Sequence, residues 1–136
     1  MLIISAILGI NPIAILIALI SHFFIGYIWY SPLFFGKIWK ELRGTNKQPT
    51  KLLIFIGFIS HVIYIFALAI IINLIKVISL MDGVLIGIVI SIGFIGTTLI
   101  NELIYGKLCF ELFLIKLGDE IISLCIAVII IVSWIK

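Results

Sequence analysis

Residues 52–75 read LLIFIGFISHVIYIFALAIIINLI, twenty-four positions without a formal charge between Lys51 and Lys76. As an α-helix this stretch would be about 36 Å long at ~1.5 Å per residue. That exceeds the ~30 Å hydrocarbon core of a bilayer. Isoleucine and valine would favour a strand in water. A strand crossing a membrane, however, needs alternating polar and apolar residues, and runs such as Ile126 to Val132 do not alternate. In lipid, every backbone group must find its partner inside its own segment, which selects helix. The stretch therefore predicts a transmembrane helix.

Three further spans follow on either side of it. The first 36 residues carry no charge. Within them Asn11 and Pro12 have the character of an N-cap and first helical position, and start a span at about 12–31. A third span, 83–105, begins after Asp82, taken as its N-cap. A fourth, 119–135, begins at Asp119. The expected fold is all-α: one domain, 1–136, forming an integral membrane bundle of four transmembrane helices. Met1 to Ile10 lacks a basic leader and reads as an extension of the first span or a short piece at the interface.

Composition agrees. Hydrophobic residues make up 65% of the 136 positions, against ~45–50% in soluble domains. A water-soluble domain of this length could not bury them all. A soluble enzyme, a nucleic-acid binder and a disordered chain are excluded, and the principal partner is the lipid bilayer. Cys109 and Cys125 are isolated thiols without a disulfide or metal-ligand spacing.

The charges set an expected orientation. Lys37, Lys40, Arg43, Lys47 and Lys51 crowd one loop, and Lys107 and Lys116 another. The positive-inside rule places both loops in the cytoplasm and both termini outside, in a cell membrane. Residues 33–43 read as a short amphipathic helix after the first span. Phe35, Ile38, Trp39 and Leu42 form its apolar face; Lys37, Lys40 and Glu41 lie opposite.

The string from Gly26 to Trp39 is specific enough to carry a resemblance. Its Trp29-Tyr30-Ser31-Pro32 and Phe35-Gly36-Lys37 elements, closed by Trp39, resemble the signature of a bacterial membrane family, domain of unknown function 1761. Gly93 to Asn101, Leu112 to Ile115 and Gly118 are similar as well. The resemblance spans nearly the whole chain after Asn11. It implies a small four-helix membrane protein and carries over no catalytic residue. Glu102 and the Asp119-Glu120 pair depart from the family's pattern, so a role built on those acids is particular to this chain.

Polar residues inside the spans are the candidates for function. Thr98, Asn101, Glu102 and Tyr105 follow i, i+3, i+4, i+7 spacing and share one helical face, which Gly83, Gly87 and Ser91 extend. Glu102 lies ~30 Å along its helix from Asp82, near the inner boundary. It reads either as a proton- or ion-handling carboxylate or as an interfacial acid paired with Lys107 or Lys37. His22 and His61 fall at comparable depth on small-residue stripes that let helices approach. A neutral histidine bonded to Ser60, Tyr64 or a backbone carbonyl is the default, and a proton relay the alternative. Packed small residues leave no room for a haem between them, and no cofactor or metal is expected. Asp119 and Glu120 read as acids at the positive end of a helix dipole.

The candidate polar path is thus His22, His61, Thr98, Asn101, Glu102 and Tyr105. Two functions compete: a small permeation or transport protein working as a homo-oligomer, and a structural or accessory membrane protein. No catalytic constellation is recognisable, and the expectation is a protein that is not an enzyme.

Overall fold

The computed structural model describes residues 1–44 and 49–134. Lys47, part of the first basic loop, and Ile135 and Lys136, at the end of the expected fourth span, lie outside the described residues. The described residues form helices and connecting turns. The helices are α1 (Leu2–Leu8), α2 (Pro12–Trp29), α3 (Gly36–Arg43), α4 (Lys51–Ile75), α5 (Leu80–Ile90), α6 (Thr97–Ile104) and α7 (Phe110–Ser133). A single π-helical segment, Ser91–Gly96, joins α5 to α6 without interruption.

Local chemistry explains the starts. The Asn11 side chain accepts from the amides of Ile13 at 2.9 Å and Ala14 at 3.4 Å, and Pro12 occupies the first turn. Thr50 accepts from the Leu53 amide at 3.3 Å and opens α4. Met1 to Ile10 does not simply extend α2: α1 is a separate helix. The Asn73 side chain near the end of α4 donates to the Ala6 carbonyl at 3.1 Å.

Three helical stretches are long and apolar enough to cross a membrane: Pro12–Trp29, Lys51–Ile75 and Leu80–Ile104. The third starts three residues before the expected 83, because Ser79, not Asp82, holds the N-cap position. The larger difference is α7. It begins at Phe110, nine residues before Asp119, so Asp119 and Glu120 sit inside a 24-residue helix rather than at its start. The dipole explanation for these acids therefore fails, since that field fades within the first turn. Charge-free runs mark where lipid could begin; they do not mark where a helix begins.

α7 is the central element, packed by α2 and α5 and touched by α4. Ile65, Ile72, Leu124 and Val128 are fully buried in the core they share. Glycines set the closest approach. A Cβ on Gly83 would stand 3.1 Å from Val128, and one on Gly87 3.2 Å from the Cys125 backbone. Most other large apolar side chains face outward, as expected where lipid is the solvent.

The turn after α2 accounts for the Trp-Tyr-Ser-Pro and Phe-Gly-Lys elements. The Phe35 and Gly36 amides fold back onto the Trp29 and Ser31 carbonyls, both at 3.0 Å. A Cβ on Gly36 would run into the Tyr30 and Ser31 carbonyl oxygens. Trp29 stacks near Phe35, with ring centroids 4.7 Å apart, and donates its indole N–H to the Ile115 carbonyl at 3.0 Å. Gly118 leaves the space that the Trp29 ring fills.

Candidate functional site

α2, α4 and α7 carry polar side chains to one place. His22 is ten residues into α2, His61 ten into α4 and Glu120 ten into α7, each ~15 Å from its helix start. The His22 and His61 rings lie 5.1 Å apart between centroids, tilted by 50°. Tyr64 stands edge-on to His22 at 5.9 Å, and Phe23 covers His61 at 5.0 Å. The two imidazoles press on each other and leave no slab between them for a porphyrin.

Two openings adjoin this group. One, of about 250 Å³, is lined by His22, Ser60, His61, Tyr64, Ile95 and Glu120. The other, of about 370 Å³, shares both histidines and Glu120 and runs past Gly26 and Tyr30 to Asp119. Tyr64 lines the first opening with Glu120, and Tyr30 the second with Asp119. A polar ladder results, from Tyr30 and Asp119 at the end of α2 to the histidines at mid-depth. Beyond them, toward the α1 end, the bundle is closed by apolar side chains such as Leu68, Ile72, Leu124 and Val128.

Hydrogen bonding within the ladder is incomplete. His61 Nδ1 lies 2.7 Å from the Gly57 carbonyl. A carbonyl only accepts, so Nδ1 carries a proton in this contact. Asp119 accepts from Ser123 Oγ at 3.1 Å. By contrast His22 Nδ1, the Tyr64 hydroxyl and Glu120 Oε2 are buried without a hydrogen-bond partner among the described residues. Unpartnered polar atoms are rare in native interiors and costly. Among the described residues, no group of three or more histidine, cysteine or acidic side chains could hold a metal ion.

The remaining residues of the expected path lie elsewhere. Thr98, Asn101 and Tyr105 are exposed, and Glu102 pairs with Lys116 at 3.6 Å near the protein surface, not with Lys107 or Lys37. The π segment is the reason. Inserting one extra residue into a helix turns everything after it by ~100°. Inward positions run Gly83, Gly87, Ser91 and then Gly96 and Leu99, so the stripe read at constant period leaves the core at Ser91. Glu120, Asp119, Tyr30 and Tyr64 were the residues a path reading overlooked. Their signal was spacing: Asp119 and Glu120 continue the Ser123, Ala127 face that α7 turns inward.

Fold and site together define a small helical protein of membrane-compatible apolar helices with an acid, histidine and tyrosine cluster among them. The chain belongs to the family described as Protein of unknown function (DUF1761), which matches residues 13–132. No curated protein and no solved structure matches it.

Proposed function

We propose that the chain is an integral membrane protein of four spans, α7 being the fourth, and that the His22, His61, Tyr64 and Glu120 cluster takes up and releases protons during transport. The carrying observation is the convergence of buried, unpartnered His22, Tyr64 and Glu120 atoms from three helices. An ionisable group in a membrane interior costs ~3 kcal/mol or more. A bundle needing only adhesion could replace it with leucine. Tyr30 and Asp119 form the entry from the side of the basic loops, which the positive-inside rule makes cytoplasmic. On that side α3 lies along the membrane surface.

The π segment supports transport over a static role. Such bulges concentrate at functional sites. Ile95 of this segment lines the cavity that holds Glu120. We infer a homo-oligomer in which a second copy covers this cavity, whose lining includes exposed Ser60 of α4 and half-buried Ile95 of the π segment. The closed apolar half favours a second reading, an accessory protein whose polar residues only hold helices together.

Proteoliposomes with an internal pH-sensitive dye separate the two. Under an imposed pH gradient and potential, the wild type should move protons. Glu120→Gln should cut that flux at least tenfold, while Asp82→Asn, remote from the cluster, leaves it unchanged. A wild type silent with every cation tried, or flux unaffected by Glu120→Gln, would refute the transport reading.

A further inference from the structure

A third cavity lies between α3 and the turn that leads into α7. It measures about 700 Å³ and is bounded by Trp39 and Arg43 of α3, by Lys107 in the turn before α7, and by Cys109, Leu112 and Lys116. None of the residues that the proton-handling reading uses lines it. Three cations therefore reach one opening from three different elements. Like charges do not gather around a cavity without cost.

Their counter-charges are few. Lys116 shares its charge with Glu102 at 3.6 Å; among the described residues Arg43 and Lys107 have no ion-pair partner. Three cations less one carboxylate leave a surplus of two positive charges. Glu111, in the first turn of α7, does not line the opening. Arg43 rests over the Trp39 ring at 4.9 Å, a cation–π contact that leaves guanidinium N–H groups for an anion. Gly106, at φ +69°, makes the turn that brings Lys107 round: the Lys107 and Leu108 amides both donate to the Glu102 carbonyl, at 2.9 and 3.2 Å. Cys109 gives α7 no side-chain cap, so the partial positive charge of that helix start adds to the field. Trp39 and Leu112 supply an apolar wall beside the cations.

We propose that this pocket binds a phosphate-bearing anion, presented as the headgroup of an anionic phospholipid or as soluble phosphate. Arginine and lysine recognise phosphate oxygens by charge-assisted hydrogen bonds. A basic pocket between helices at the cytoplasmic boundary is where anionic headgroups are held.

The test uses the full chain in a neutral detergent and follows its melting midpoint with added phosphatidylglycerol, phosphatidylcholine or inorganic phosphate. Phosphatidylglycerol should raise the midpoint and phosphatidylcholine should not; stabilisation by inorganic phosphate alone identifies the soluble source. Arg43→Gln and Lys107→Gln should each weaken the effective probe about fivefold, the loss expected for one surface cation. Lys37→Gln, on α3 but outside the pocket, should change affinity less than twofold. Should Arg43→Gln lower the ligand-free midpoint by losing its place on Trp39, the comparison rests on Lys107→Gln, whose side chain has no bond among the described residues. No stabilisation by either phosphate probe overturns the proposal. So does an equal loss in Lys37→Gln, which would mean diffuse attraction rather than a site.

Discussion

Gly36→Ala puts the turn after α2 to the test. Gly36 is the first residue of α3, and by intrinsic propensity alone alanine there should stabilise the helix by ~0.5–1 kcal/mol. The structure predicts the opposite sign. A Cβ at this position meets the Tyr30 and Ser31 carbonyl oxygens, which are backbone and cannot swing aside. The turn must open, and the Phe35 amide to Trp29 carbonyl and Gly36 amide to Ser31 carbonyl bonds are lost with it. At ~1 kcal/mol net for each bond, the cost is about 2 kcal/mol. Gly57→Ala is the matched control, since nothing stands within 4 Å of a Cβ there; it should be neutral or stabilising by up to ~1 kcal/mol. The measurement is reversible unfolding in mixed micelles, read by tryptophan emission, because Trp29 and Trp39 flank the turn. The predicted gap between the two alanine variants is about 2–3 kcal/mol. If Gly36→Ala unfolds within 0.5 kcal/mol of Gly57→Ala (about the scatter of neutral substitutions), the steric argument is wrong.

Two other perturbations check the packing and the orientation. Leu124→Ala empties a fully buried position on α7; lipid is as apolar as the core, so the loss is packing alone, about 2 kcal/mol, the low end for such changes in soluble cores. Mixed-micelle unfolding measures it, and a change below 0.5 kcal/mol, ordinary for surface sites, would mean that the core around Leu124 is not tight. With both native cysteines replaced by serine, Lys40→Cys on α3 should resist an impermeant thiol reagent in intact cells; labelling there would reverse the proposed topology.

Much of the helix plan was legible because each signal was local. Asn11-Pro12 caps a helix by chemistry contained within four residues, and lipid compatibility is a property of composition. The start of α7 was not legible, because Glu111 and Lys116 look like the edge of a membrane while the helix runs straight through them. At the site, equal counting along α2 and α4 placed His22 and His61 at one depth, and their rings do touch. Glu120 was hidden by the misplaced helix start. Thr98, Asn101 and Tyr105 were misjudged for another reason: periodicity assumes an unbroken rod, and nothing in Ser91 to Gly96 beyond two glycines announces a π turn.

That turn acts on the helix as a phase slip acts on a wave. Upstream of it the rod keeps one phase, set by Gly83 and Gly87 against α7; downstream it keeps another, set by Gly96 and Leu99. The two halves need not agree, and only the count of residues between them holds the offset. Removing one residue from Ser91–Gly96 would let the segment close as ordinary α-helix with Gly96 and Leu99 still turned inward, whereas forcing it into α-helix at full length would turn Leu99 outward and swing Thr98 and Asn101 toward α7. Removing a residue from the turn at Gly106 would disturb no such relation. The tolerance of this chain to length change is therefore uneven along its third apolar stretch, greatest for a one-residue deletion within the π turn itself.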